Sequence, residues 1–226
     1  MERQIMKFFI GILILPTTIF ATTIVPTFKP LKPLKAYSPN SYTLAKDIKY
    51  LELRRYTYSN SKDLTKRGAN PKYELIAVAK RGSVSEKLIK KLRKYPPILT
   101  QKADIHASEM CVMSGCGFIR GNAFVIDNRN KMWKMDEFSD LLTYLGKIDT
   151  EAELKMLLWA KSFKYDNSKY REVLDSYEVI VEYDNSISNV GECGHFTYRL
   201  KVSKWGDISE KLLRKTQSKN GCIAMD

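Results

Sequence analysis

The sequence predicts an α+β protein: antiparallel meander sheets packed on a central pair of helices and stapled by disulfides. Three observations predict it. YELIAVAK (73–80), SYEVIVEY (176–183) and FTYRLKVS (196–203) have the composition or the two-residue alternation of strands. DEFSDLLTYLG (136–146) and TEAELKMLLWAKSF (150–163) lie between them with helix start and stop signals. Four cysteines, an even number, follow an N-terminal segment that reads as an export signal, and oxidising compartments favour their pairing.

In chain order, MERQIMK supplies Arg3 and Lys7, FFIGILIL is apolar but too short to span a bilayer, and PTTIFA ends on the small Ala21. Residues 1–21 are therefore expected to be a signal peptide cleaved near Ala21. Residues 22–41 space Pro26, Pro30, Pro33 and Pro39 through a basic stretch and read as an extended arm. The folded domain is placed at 42–226.

DIKYLELRRYTYS (47–59) mixes alternation with β-formers and YELIAVAK is a stronger strand, with the polar SNSKDLTKRGANP between them. Ser83 and Glu86 are spaced as a capping box, and Val84, Leu88 and Leu92 form a helical stripe, so a helix is expected over 84–94, ended by Pro96-Pro97. GFIRGNAFVID (117–127) is a glycine-interrupted strand that turns at DNRNK. The helix from Asp136 has acids at its positive end and Gly146 past its last turn. Thr150 and Glu153 make a second capping box, with Leu154, Leu157, Leu158 and Trp159 as the buried face.

In the last meander, Tyr177, Val179 and Val181 alternate with Glu178, Ile180 and Glu182, and Trp205-Gly206-Asp207 supplies a turn. Periodicity leaves 208–215 open between a strand and a short basic helix. The cysteines favour a strand: the midpoint of 193 and 222 falls between Asp207 and Ile208, so two arms rising equally bring Cys193 opposite Cys222. Cys111–Cys116 pairing follows by elimination. An internal echo, KRGSVSEKLIKK (80–91) against KWGDISEKLLRK (204–215), suggests two related strand–loop–strand units over about 48–92 and 177–216.

The formal net charge is +13, with basic runs at KPLKPLK (29–35), RRYTY (54–58) and KLIKKLRK (87–94). Arg54, Arg55, Lys87, Lys90, Lys91, Arg93 and Lys94 are the expected anion-binding residues. Export argues against nucleic acid and favours an anionic envelope component or an acidic protein. No Asn-x-Ser/Thr triplet occurs, which favours a bacterial envelope over eukaryotic secretion.

Catalytic patterns are weak. His106, Cys111, Cys116, Cys193 and His195 lack any standard zinc spacing, and Arg129 and Lys131 spoil a calcium loop at DNRNKMWKMDEF. Glu151 with Glu153, and Asp136 with Glu137, sit in first helical turns, where dipole compensation explains them. A Cys-His hydrolase is the sharpest enzyme candidate, with Cys193 or Cys111 as nucleophile, His195 or His106 as base and Gly194 permitting close approach to an oxyanion, but the sequence offers no orienting acid beside Cys193 and His195. The expectation is an exported, periplasmic or secreted, non-enzymatic binding or accessory protein of the inhibitor, immunity or envelope-factor kind. It needs no metal or cofactor and has no transmembrane segment after processing. The alternative is a small secreted Cys-His hydrolase.

Overall fold

The computed structural model describes residues 26–58, 73–97, 108–112, 115–135, 138–161, 168–185 and 194–217. Ten strands are described: β1 (Lys29–Pro30), β2 (Ile48–Tyr58), β3 (Tyr73–Lys80), β4 (Ser108–Val112), β5 (Gly115–Asp127), β6 (Met132–Lys134), β7 (Lys169–Val173), β8 (Ser176–Asn185), β9 (Gly194–Ser203) and β10 (Ile208–Gln217). Three α-helices accompany them: α1 (Glu86–Arg93), α2 (Phe138–Leu145) and α3 (Glu151–Ala160). An α+β fold is thus observed, with every described strand pair antiparallel.

One sheet runs β3-β2-β5-β4, with β6 also on β5; the other is the meander β1-β7-β8-β9-β10. Alternation along β2 divides the interior. Leu51 and Leu53 point into a core shared with Val179, Val181, Leu200 and Val202 of the second sheet and with α2 and α3. Tyr50 and Tyr56 point the other way, into a smaller cluster under α1 with Val84, Ile89, Leu92, Phe124 and Ile126. The order from one side to the other is α1, first sheet, shared core, second sheet.

Helix α3 differs from the single buried face the sequence suggested, because every residue from Ala152 to Ala160 is buried, Glu153 and Lys155 included. Its apolar residues belong to the core to which both sheets contribute, which leaves the helix no solvent side. Its start follows the pattern: Thr150 Oγ1 accepts from Glu153 N at 3.2 Å, and Thr150 N donates in return to Glu153 Oε2 at 3.0 Å. Gly146 takes φ +72° after α2, as a helix end asks of glycine.

Four expectations need correction or refinement. The arm boundary at 41/42 falls too late: Leu31 and Leu34 are core residues, and Lys29 and Pro30 pair with Tyr170 and Lys169. The prolines exclude helix and ladder interior, but an edge strand and short 3-10 turns at Leu34–Ala36 and Pro39–Ser41 accommodate them.

The capping box at Ser83 and Glu86 is not used. Ser85 is the N-cap, without a side-chain bond, because Val84 is buried before the cap with Ile89 and staples the chain entry.

In both copies of the echo two paired strands precede a positive-φ glycine (Gly82, +68°; Gly206, +91°), and the structures then part. Ser85–Leu88 enters a helix whereas Ser209–Leu212, the same four residue types, lies in a strand.

The strand assignment for 208–215 is observed, paired with β9 around a bulge at Leu212–Arg214. Its register sets Gly194 opposite Gln217, one residue after Cys193 and five before Cys222; both cysteines lie outside the described residues. Gly206 has a second reason to be glycine, since a Cβ there would stand 2.4 Å from Leu142 Cδ2.

Candidate functional site

The cationic helix α1 is built by its spacing. Ile89 and Leu92 turn inward, with Leu88 partly covered, and this leaves Lys87, Lys90, Lys91 and Lys94 exposed at the i, i+3, i+4, i+7 positions of one outer stripe. Glu86 is the one acid on the helix. Lys134 Nζ lies 5.4 Å from the Tyr95 ring centroid, which extends the positive face beyond the helix C-terminus.

What holds this face in place is a buried network. Arg54 Nε donates to Glu52 Oε1 at 2.6 Å, and its two terminal nitrogens donate to Leu92 O at 2.9 Å and Tyr95 O at 3.1 Å, closing the last carbonyls of α1. Its guanidinium lies over Phe124 at 3.8 Å and Tyr73 at 4.7 Å. Glu52 Oε2 accepts from Tyr50 Oη at 2.7 Å and from Arg93 Nε at 3.4 Å. Both Glu52 and Arg54 have 0% exposure. Burial, and then the Glu52 carboxylate, push the Tyr50 phenol well above its ordinary range, so it stays a donor.

The seven expected anion-binding residues therefore separate. Lys87, Lys90, Lys91 and Lys94 share one solvent face. Arg93 is turned partly inward to Glu52, and Arg54 is corrected from a surface contact to an interior clamp. Arg55, next along the strand, must point to the opposite side of the sheet, where it shares Glu74 with Lys35. There it lines an open cleft of about 240 Å³ with Leu34, Lys155 and Trp159.

Two groupings escaped the sequence reading. On the outer face of the second sheet the register places Arg199 opposite Lys211, with Lys201 two residues from Arg199 and Arg214 opposite Thr197. Finding this required 208–217 to be a strand and its bulge to be located. Register also places Asp184 opposite His195. His195 is exposed at the start of β9; Cys193, Cys222 and His106 lie outside the described residues. Cys111 and Cys116 are direct partners across the β4–β5 hairpin.

The failed calcium loop has another use: Asp127 accepts from Arg129 N at 2.9 Å, Lys131 N at 2.8 Å and Trp133 Nε1 at 3.1 Å, fixing the turn. Among the described residues no group of three His, Cys, Asp or Glu side chains is placed to hold a metal ion, and no helix is long and apolar enough to cross a membrane. No protein-family model, curated protein or solved structure matches the chain.

Proposed function

We propose that the chain is an exported, non-enzymatic binding or accessory protein of a bacterial envelope whose α1 face meets an anionic partner. One observation carries the reading: four lysines share the outer stripe of a helix whose inner side and C-terminus are fixed by a buried ion pair. Fixed cations lose little freedom on binding, which is the condition for a preorganised electrostatic surface. The α2–α3 pair serves as the central layer, consistent with core residues from both sheets gathering on it.

The staples belong to the same reading. Val112 opposite Gly115 closes the β4–β5 hairpin, so Cys111 and Cys116 are the next pair outward. Residues directly opposite on antiparallel strands have Cα atoms about 4.5–5.5 Å apart, a span a disulfide accepts. A Cys193–Cys222 bridge would close the ends of the β9–β10 hairpin.

Lysine acetylation with and without polyphosphate tests the binding face. At low salt Lys87, Lys90, Lys91 and Lys94 should be protected severalfold relative to exposed Lys46, and high salt should erase the difference. Uniform labelling of all five sinks the proposal.

The Cys193–His195 hydrolase is the second reading, favoured by the register that pairs Asp184 with His195 across β8 and β9. Alkylation of the unreduced, denatured protein separates the two: no modified cysteine supports the stapled binder, and modification at Cys193 supports the hydrolase.

A further inference from the structure

The outer face of the β1–β7–β8–β9–β10 sheet carries a second cationic field. Across neighbouring strands Lys169, Ile180, Arg199 and Lys211 form one row, by the pairings Lys169↔Ile180, Ile180↔Arg199 and Arg199↔Lys211. Lys201 lies in the row on one side, beside the Arg171–Glu178 ion pair, and Arg214 in the row on the other, beside Thr197 and Glu182. Lys169, Arg199, Lys201, Lys211 and Arg214 are all exposed, and none of their side chains has an ion-pair or hydrogen-bond partner among the described residues. Like charges directly opposite on adjacent strands repel, so Arg199 against Lys211 weakens the sheet that holds them.

This field and the α1 stripe are on opposite sides of the molecule. Helix α1 covers the face of the first sheet that carries Tyr50 and Tyr56, whereas Leu51 and Leu53 on its other face share a core with the inner residues of the second sheet. Two sheets and the enclosed α3 lie between them.

We infer that one molecule binds two anionic bilayers at once and so draws membranes together. The inference rests on the basic-face reading and names the partner. A bilayer presents its anionic headgroups in two dimensions, and the second field is two-dimensional too, with cations on β7, β9 and β10 across four neighbouring strands about 4.8 Å apart. A single polyanionic chain would be tracked by a line of cations; the sheet field is a patch instead, and the narrower α1 stripe meets headgroups along one helix.

The experiment uses vesicles of phosphatidylcholine with phosphatidylglycerol, against phosphatidylcholine alone, and reads co-sedimentation for binding and turbidity for clustering. One variant replaces Lys87, Lys90, Lys91 and Lys94 by Gln; the other carries Lys169→Gln, Arg199→Gln, Lys201→Gln, Lys211→Gln and Arg214→Gln. The wild type clusters only the anionic vesicles. Each single-face variant still sediments with them, within about threefold of wild type, but leaves them dispersed. Combining the two sets lowers binding by about a hundredfold or more. The smaller Arg199→Gln/Lys211→Gln pair, which removes a repulsion and should not unfold the sheet, must also depress turbidity severalfold. Clustering retained by either single-face variant overturns the inference, as does a wild type that binds anionic vesicles without clustering them. A wild type cross-linked by polyphosphate but not by vesicles overturns the lipid assignment. Vesicle failure with α1 protection intact leaves the binding face standing; loss of that protection removes the binding reading itself.

Discussion

At the scale of single residues, the least legible pair is Glu52 and Arg54. Their alternation with Leu51 and Leu53 correctly signals a strand, but charge on the alternate positions reads as solvent, and both are fully buried. Nothing in LELRRYTY itself reveals that α1 covers its second face. A buried ion pair adds little net stability when intact, whereas removing one partner strands the other charge in the interior. Arg54→Ala should therefore lower unfolding free energy by about 3–5 kcal/mol in denaturant titration. Glu52→Leu with Arg54→Met should lose clearly less. A double variant as damaged as the single one would mean that Arg54 acts mainly through the Leu92 and Tyr95 carbonyls.

At the scale of elements, SEKL in α1 and SEKL in β10 show where local reading ends. Both copies follow a positive-φ glycine, and both carry leucine and lysine. What differs is tertiary: Ile89 and Leu92 find an apolar cluster, while β10 finds the open edge of β9. By contrast the Thr150–Glu153 box was legible, because both partners lie within one turn. The proline-spaced arm was not, because its attachments are distant. Glu151 receives Tyr37 Oη at 2.5 Å, Tyr170 Oη at 2.9 Å and Lys32 N at 3.2 Å. Burial alone would raise the Glu151 carboxyl, but these donors outweigh it and hold it below its ordinary value. A depressed folded value means that the latch contributes above the unfolded value of about 4.3 and is lost as pH falls through the folded one. Glu153 shifts the opposite way: its burial raises it against the amides of Thr43, Asp149 and Thr150, so its protonation in acid relieves a buried charge. Tyr37→Phe/Tyr170→Phe should weaken the protein at pH 6 and flatten the loss of denaturation midpoint between pH 5 and 3, by about the Glu151 contribution. An unchanged acid slope would show that the latch does not titrate with the fold.

At the scale of the whole molecule, α3 shares one hydrophobic core with residues of both sheets. Leu157 is fully buried in the shared core, and Leu157→Ala should cost about 2–5 kcal/mol through the cavity it leaves. Because both sheets lean on that helix, amide exchange in β2 and β8 should accelerate together. Acceleration confined to one sheet would show two separately stable halves. The α+β class, the helices and strands β2, β3, β5, β8 and β9 could be read from local pattern, whereas β10 needed the cysteine spacing and β1, β4, β6 and β7 were missed because they are short. The layer order, and therefore the opposition of the two basic faces, depends on which side of β2 each helix covers, and no window of sequence contains that.

The N-terminal arm adds a constraint of timing. Leu31 and Leu34, β1 and the Lys32 amide are made early, yet their partners in α3 and β7 lie more than a hundred residues later. A chain emerging from the ribosome must carry those leucines without these partners until residue 170 has followed, so a segment made early is among the last to settle, and a holding chaperone has a long opportunity there.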